Sequence, residues 1–243
     1  MEPLLPFTAL LNRFFAAPVA ALLHTLGIPV KHPSEPIPNY VAMQILVALL
    51  LVLLFLIVRS RLSVEKPGGL QHTMESLDGF VSDSCHEIIG HDYQRYVPYI
   101  SILGLFIISC NLLGLVPFFE TPTGVPSVPL GCALVTWFYY HYNGIRTNGA
   151  GYIKHFLGPT VWLWWLIPPI EICSHLARIL SLTVRLYANM FAGDMVTLVF
   201  FSLMPIGVPV IFMGLHIGVA FIQTYIFMLL SMVYLGEAVA HEH

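Results

Sequence analysis

The sequence predicts an all-α, polytopic integral membrane protein with three transmembrane spans and a long, strongly tilted C-terminal helical hairpin. Of its 243 residues, 57% are hydrophobic and only 9% are Asp, Glu, Lys or Arg, whereas an average soluble domain carries about 25% charged residues. With a mean hydropathy of +0.80, too few polar side chains are available to cover a globule with a hydrated surface. This composition excludes an ordinary soluble protein, a disordered chain and a nucleic-acid-binding protein with a basic face.

The N-terminal segment, 1–38, is predicted to form an interfacial helix followed by a linker. Two prolines, an asparagine and Arg13 interrupt its apolar residues, and this pattern favours a helix that lies in the membrane interface over one that spans the membrane. No basic region precedes the apolar residues, so a secretory signal is not expected. The proline-rich stretch 31–38 then leads into a single membrane domain over 39–243.

Three uncharged runs predict the transmembrane spans at about 40–58, 96–119 and 130–145. A hydrocarbon core of ~30 Å needs about 20 apolar residues in a helix, and the third run is short. Its C-terminal half is rich in aromatic residues typical of an interface belt, namely Trp137, Tyr139, Tyr140 and Tyr142. Between the first two runs, the polar segment 71–95 is predicted to be a helix on the solvent side.

The distribution of cations predicts the topology. Cationic loops at 59–66 and 146–154 follow the first and third spans, whereas the loop 120–131 has no cation. Since cytoplasmic loops carry an excess of Lys and Arg, the two cationic loops are expected in the cytoplasm and 120–131 outside. The N-terminus then lies outside and the C-terminus in the cytoplasm.

Two long proline-free stretches predict the hairpin. No proline occurs between Pro169 and Pro205, and none follows Pro209. Continuous helices of these lengths would measure about 52 and 51 Å, well beyond a ~30 Å hydrocarbon core. Such helices either break or lie strongly tilted. We favour the tilted hairpin, with helices at about 160–204 and 209–240.

The first hairpin helix contains ionisable side chains in an apolar setting. A charge at the bilayer centre costs about 2.5–3.5 kcal/mol on insertion scales, so such residues indicate function. At 100° per residue, one stripe of the helix contains Glu171, His175, Arg178, Arg185 and Asn189. Asp194 faces away from Arg185, which indicates two polar routes on different sides of one arginine. The structural alternative is that Glu171 and Arg178, seven residues apart, pair with each other.

The second hairpin helix contains the polar pair His216 and Gln223. A turn near 204–209 is expected to bring Asp194 next to His216. Carboxylates and imidazoles can relay protons because burial and neighbouring charges move their pKa values to physiological pH, whereas guanidinium stays protonated. A fixed cation between two proton routes would therefore separate them. The mobile carboxylate that passes this cation is expected on a partner protein.

Four segments carry a resemblance to a known family: NLLGLVP (111–117), PIEICSHLAR (169–178), SLTVRLYANMFAGD (181–194) and HIGVAFIQTYIFMLLSMVYLGEA (216–238). They resemble subunit a of the F-type ATP synthase. The resemblance implies a non-catalytic, proton-conducting stator subunit in a bacterial plasma (inner) membrane. Its partners would be the ring of c subunits, the peripheral-stalk b subunits, the rest of the synthase and the lipid bilayer. No cofactor or metal is implied, and no ATP bound by this chain.

The same resemblance assigns site residues. Arg185 matches the essential arginine facing the ring, and Asn189 the asparagine one turn later. The outer half-channel is matched by Asp194, His216 and Gln223. The inner half-channel is matched by Glu171, Ser174 and His175. Many family members have proline, glycine and glutamate where this chain has Ile179, Ala188 and Asp194.

Two other functions are considered: an autonomous cation or proton channel or transporter, and an intramembrane hydrolase. A transporter usually contains internal repeats, which the sequence lacks, and here the relay is interrupted by Arg185. A hydrolase requires a nucleophile–base pair or a metal triad, and CHEIIGH (85–91) lacks the second histidine of a zinc-binding HExxH motif. The widely spaced cysteines predict neither a disulfide framework nor a zinc site.

Overall fold

The computed structural model describes residues 5–25, 27, 35–63, 68–90, 92–116, 119–149, 151–152, 165–203 and 207–240. Over these ranges the chain forms α-helices and two short 3₁₀ turns, with no strand. The α-helices are α1 (Pro6–Thr25), α2 (Asn39–Ser60), α3 (Gly69–Ile89), α4 (Val97–Leu113), α5 (Ser127–Asn148), α6 (Ile167–Leu203) and α7 (Val208–Val239). The all-α class predicted from the sequence is confirmed.

Several helices are long and apolar enough to cross a membrane. In the described part of the chain these are α1, α2, α6 and most of α7. The surface of α2 is apolar on its outer side, where Leu49, Val52 and Leu56 are each more than half exposed, at 55, 56 and 57%. Such a surface is stable against lipid or another subunit but not in water. The polytopic membrane architecture is therefore also confirmed.

The other predicted membrane segments take different forms. The second and third predicted spans correspond to α4, an apolar helix of 17 residues, and to α5, which is more polar. The predicted interfacial helix is α1, which also has the length and apolar composition of a spanning helix. Its position in the interface stays a prediction. The segment 71–95, predicted to be a helix on the solvent side, folds as α3 and the 3₁₀ turn Tyr93–Arg95, and its location in solvent stays a prediction.

The hairpin helices α6 and α7 are continuous and pack along each other and against α5. At 1.5 Å per residue, their 37 and 32 residues correspond to about 55 and 48 Å. Such long segments could have been broken into shorter helices, but both are continuous. α7 begins after Gly207, whose φ of +93° favours glycine, and has Pro209 in its first turn. The start of the predicted first hairpin helix, 160–164, and the turn at 204–206 lie outside the described residues.

The core lies where α4 and α5 meet the hairpin. One buried cluster joins all four helices, and it includes Ile107, Ala133, Leu186, Ala220 and Phe227. In a lipid environment such a cluster stabilises the fold mainly through close van der Waals packing, since lipid tails are as apolar as leucine. Small residues at the contacts let the helix backbones approach closely.

One close approach positions the end of α5. A Cβ atom on Gly144 would lie 2.6 Å from Cε2 of Tyr152 and 3.0 Å from the carbonyl oxygen of Ala238. Because real Cβ atoms do not come this close, only glycine fits here. The contact holds Tyr152 and the end of α7 against α5.

Candidate proton-transfer sites along the hairpin

A polar cluster, called the outer cluster here, lies near the turn of the hairpin. Asp194 precedes the end of α6 and His216 follows the start of α7, so the antiparallel packing of the two helices brings them together. Oδ1 of Asp194 lies 3.8 Å from Nδ1 of His216, and the imidazole is buried with 3% of its side chain exposed. The carboxylate is 36% exposed. The outer cluster thus joins a buried imidazole to a carboxylate that is open to the surroundings.

The loop that precedes α5 adds hydroxyl groups to the outer cluster. The Thr121 hydroxyl donates a hydrogen bond of 3.4 Å to Oδ1 of Asp194. In the 3₁₀ turn Pro122–Gly124, the buried Thr123 hydroxyl donates to Oδ1 of Asn111 at 2.7 Å. None of these side chains was assigned a role from the sequence, although Asn111 opens the NLLGLVP segment. One feature of the sequence could have indicated them: the NLLGLVP segment is followed by a loop that contains threonines and no cation.

Two glycines make room for this arrangement. A Cβ atom on Gly193 would lie 2.7 Å from Nδ1 of His216, and a Cβ atom on Gly114 would overlap the Thr121 hydroxyl. Both glycines therefore let a polar side chain from another element reach the helix backbone. The close approach at Gly193 places the imidazole of His216 beside α6.

In the middle of the hairpin, Asn189 and Gln223 are hydrogen-bonded across the two helices. Nδ2 of Asn189 donates to Oε1 of Gln223 at 2.7 Å. Gln223 is buried, with 1% exposed. Nε2 of His216 and Nε2 of Gln223 are buried and have no hydrogen-bond partner among the described residues. Polar side chains thus continue from the outer cluster towards the middle of α6.

Arg185 lies one turn from Asn189 and is exposed. Among the described residues it forms no ion pair or hydrogen bond. The side of α6 on which it lies is apolar and includes small residues: Ala177, Leu180, Ser181, Val184, Ala188, Phe191, Ala192 and Met195 are all exposed. Arg185 is therefore exposed on an apolar face of α6, and no residue in the described ranges pairs with it.

A second polar cluster, called the inner cluster here, surrounds the first turns of α6. Nε2 of His175 lies 3.4 Å from Oε1 of Glu171. Nδ1 of the same buried imidazole is hydrogen-bonded to the hydroxyl of Tyr140 at 2.9 Å. Ser174 is half-buried beside them. Tyr140 was predicted to belong to an interface belt, but it is buried with 2% exposed, whereas Tyr142 is 61% exposed.

Arg178 is bound by α7. Its Nη1 lies 2.8 Å from Oε2 of Glu237, and its guanidinium lies 4.8 Å from the ring centroid of Tyr234. The alternative pairing of Arg178 with Glu171 is not what the structure shows. Seven residues along a helix correspond to about 10.5 Å, whereas α7 packs directly beside α6. Glu237 was assigned no role from the sequence, although it lies in the segment 216–238 that carries the resemblance.

The two clusters lie at opposite ends of α6 and are well separated. Glu171 and Asp194 are 23 residues apart, which corresponds to about 34 Å along a helix. Arg185 lies between them. Each cluster combines a carboxylate, an imidazole and a hydroxyl group, all of which can pass protons over short distances. The arrangement can therefore support two proton routes that do not meet within this chain.

Known proteins match the chain over most of its length. The sequence profile of the family described as ATP synthase A chain matches residues 41–236. The chain is 63% identical to ATP synthase subunit a of Koribacter versatilis (strain Ellin345) over 238 residues, which covers 98% of this chain and 97% of that protein. It is 52% identical to ATP synthase subunit a of Solibacter usitatus (strain Ellin6076) over 211 residues, covering 86% and 91%. With the subunit of Citrifermentans bemidjiense it shares 39% identity over 222 residues, covering 91% and 94%.

Proposed function

The chain belongs to the ATP synthase A chain family, and we propose that Arg185 and the two polar clusters of its hairpin conduct protons past a rotating partner. Family membership makes it a bacterial membrane protein that takes part in ATP synthesis and ion transport as a subunit of the ATP synthase complex. What we propose beyond family membership is the role of each residue and the identity of the neighbouring subunits.

The observation that carries the proposal is the position of Arg185. This cation is exposed on an apolar face of α6 and has no partner in the described part of the chain. A charge in such a position is costly unless a polar group of another protein meets it. The small residues Ala188 and Ala192 on the same face allow a neighbouring helix to approach closely. A ring of c subunits would supply both a polar group for the cation and a helix that packs closely, because such a ring presents carboxylates on its helices.

The arginine acts as a barrier between two half-channels. A ring carboxylate that approaches Arg185 is stabilised in its ionised form, because a nearby cation lowers the pKa of a carboxyl group. It must therefore release its proton before it passes. After passing, it takes up a proton from the other half-channel. Guanidinium suits this role since it does not lose its own proton.

The outer half-channel consists of Asp194, His216 and Gln223, with Asn189 at the end nearest to Arg185. The carboxylate and imidazole of the outer cluster lie 3.8 Å apart. The unpartnered Nε2 atoms of His216 and Gln223 support a hydrated route, since a buried donor without a partner costs about 1–3 kcal/mol. Thr121 adds a hydroxyl group to the same route.

The inner half-channel consists of Glu171, Ser174 and His175 at the opposite end of α6. The contact between Glu171 and His175 places an acid and an imidazole side by side. This end of α6 packs against the C-terminal half of α5, where Tyr140 is hydrogen-bonded to His175, and α5 leads into the cationic segment at 146–154. Since cationic loops lie in the cytoplasm, the inner half-channel opens to the cytoplasm and the outer one to the other side.

The chain acts as a non-catalytic stator. Its partners are the c ring, the peripheral-stalk b subunits and the remaining synthase subunits, and its N-terminus lies outside and its C-terminus in the cytoplasm. The alternative of an autonomous channel is less well supported, because the two clusters remain about 34 Å apart on α6 and need a carrier between them.

Replacing Arg185 by alanine tests the proposal. Coupled ATP-driven proton pumping should be abolished in vesicles that contain the complete complex, while passive proton leak persists or rises because the barrier is gone. Arg185→Lys should also fail, since an ammonium group can lose its proton when buried and lacks the wide fork of donors. Acidification of the vesicle lumen is measured together with the amount of assembled complex.

Arg59→Ala is the matched control, because Arg59 is an exposed arginine at the end of α2. It should pump at the wild-type rate. Near-normal coupled pumping by either Arg185 variant would mean that this residue has only a structural role, and the proposal would be wrong.

A further inference from the structure

The inner cluster includes two side chains outside the proposed half-channel residues. Nδ1 of His141, on α5, is hydrogen-bonded to the hydroxyl of Tyr152 at 2.7 Å. The imidazole rings of His141 and His175 have centroids 4.7 Å apart. The chain of contacts therefore runs from Glu171 through two neighbouring imidazoles to a tyrosine beyond the end of α5.

Packing holds these groups in place. The ring of Trp137 lies edge-on to His141, with centroids 4.4 Å apart. Tyr152 is buried, with 8% exposed, and its ring lies against Gly144, where a side chain would not fit. Tyr152 belongs to the cationic segment 146–154, on the side from which the inner half-channel opens. A preorganised contact of this kind suits short-range proton transfer.

We propose that His141 and Tyr152 are the entry part of the inner proton route and carry protons between the cytoplasmic side and His175. This inference rests on the proposed function and extends it to α5. It differs from a packing role, in which His141 would only fill space and hold Tyr152 in position.

The transfer conserves protons at every step. The Tyr152 hydroxyl donates its proton to Nδ1 of His141 while it accepts one from the cytoplasmic side, so the tyrosine stays neutral. The protonated imidazole of His141 releases its Nε2 proton towards His175, directly or through one water molecule. His175 then passes a proton to Glu171. Rotation of the tyrosine hydroxyl and return of both histidines to their first tautomers complete the cycle.

Several titratable groups surround this route and contribute to its pH dependence. From α6 these are His175, Glu171 and Arg178, and from α5 Tyr140, which is hydrogen-bonded to His175. From α7 they are Glu237, paired with Arg178, and Tyr234, whose ring centroid lies 6.2 Å from that of Tyr140. The informative measurement is therefore the change in the whole pH profile of pumping.

The test compares His141→Gln and Tyr152→Phe with wild type in inverted vesicles that contain the complete complex. In these vesicles the cytoplasmic side faces the medium, so its pH can be set. Glutamine keeps a hydrogen-bonding group beside Tyr152 but cannot carry a proton. Phenylalanine keeps the ring beside Gly144 but has no hydroxyl. ATP-driven acidification per assembled complex is measured from pH 6 to pH 8, the range that spans histidine titration.

We expect His141→Gln to lower the pumping rate at neutral pH by roughly tenfold or more, as for loss of a positioned acid–base group. The remaining rate should rise as the medium is acidified, because protons must then come directly from solution. Tyr152→Phe should show a smaller loss with the same change in profile. Tyr99→Phe is the control, since it removes a hydroxyl that is bonded to Thr136 at 3.0 Å rather than to His141 or His175.

A wild-type rate and pH profile in His141→Gln overturns the inference, and so does the same result in Tyr152→Phe. If His141→Gln fails to assemble, Tyr152→Phe alone decides. Arg185→Ala in the same assay separates the two proposals. When it abolishes pumping while both inner-route variants pump normally, only the inference is wrong; when it pumps normally, the proposed function itself is wrong.

Discussion

Two arginines on α6 show how partners determine the role of a side chain. Arg178 is paired with Glu237 at 2.8 Å and lies over the ring of Tyr234, so its charge is balanced within this chain. Arg185, two turns later, is exposed and has no partner in the described part of the chain. Both residues are arginines in an apolar helix; the family resemblance distinguished Arg185 from Arg178, but the sequence did not reveal the partner of Arg178. Only the second is available to a partner protein.

The pair Asp194 and His216 gives a prediction at the scale of single residues. Exchanging them, as Asp194→His with His216→Asp, should retain more proton flux than either single change. The two groups lie 3.8 Å apart, so the exchange preserves an acid and an imidazole in contact. Flux is measured as ATP-driven acidification of vesicles. If the double exchange retains no more flux than the worse single variant, the two residues do not act together.

At the scale of elements, the loop between α4 and α5 is part of the outer cluster. Its 3₁₀ turn packs against α6 and brings Thr121 to Asp194. The loop is short and proline-rich, and its buried Thr123 is hydrogen-bonded to the last turns of α4. A connection outside the predicted spans thus takes part in positioning the carboxylate.

The approach of α6 to α7 gives a second prediction. Gly193→Ala should lower proton flux by about tenfold or more, because a misplacement of about 1 Å can cost on the order of 10²-fold in rate. The added Cβ atom would lie 2.7 Å from Nδ1 of His216 and would displace the imidazole from Asp194. Flux and the amount of assembled complex are measured together.

Gly218→Ala is the matched control on α7, where an added Cβ atom meets nothing within 4 Å. It should assemble and pump as wild type does. Equal flux in the Gly193 and Gly218 variants would show that His216 tolerates displacement.

At the scale of the whole molecule, the positions of the two clusters and of the cationic segments indicate the same orientation of the chain in the membrane. The cation-free loop before α5 reaches the outer cluster through Thr121, and Tyr140 in the C-terminal half of α5 contacts the inner cluster, ahead of the cationic segment 146–154. The outer cluster therefore lies towards the end of α5 that adjoins the cation-free loop, and the inner cluster towards the end that adjoins the cationic segment. This agreement supports the predicted topology without testing it directly.

The topology prediction is tested by cysteine labelling with a membrane-impermeant reagent. Ser127→Cys should react only from the outside and Ser76→Cys only from the cytoplasm, since both positions are exposed. Thr123 is unsuitable because its side chain is buried. The exposed native Cys173 is first replaced by serine. Labelling of Ser127→Cys from the cytoplasmic side alone would reverse the orientation.

Much of the fold follows from local properties of the sequence. The low charge content excludes a soluble fold, and the long proline-free stretches predict the continuous helices of the hairpin. Helical periodicity also separates Asp194 from the stripe that includes Arg185. These properties depend only on composition, on helix geometry and on the cost of charge in lipid, so one sequence suffices to predict them.

The contacts between elements depend on the tertiary structure. The sequence by itself determined the membrane class, the hairpin, the ionisable residues of α6 and the polar pair His216 and Gln223 of α7. Only the fold decided that Arg178 pairs with Glu237, that Thr121 reaches Asp194, and that His141 lies beside His175. The physical reason is that helical spacing specifies which residues share a face of one helix, whereas the neighbour of that face depends on how several helices pack together.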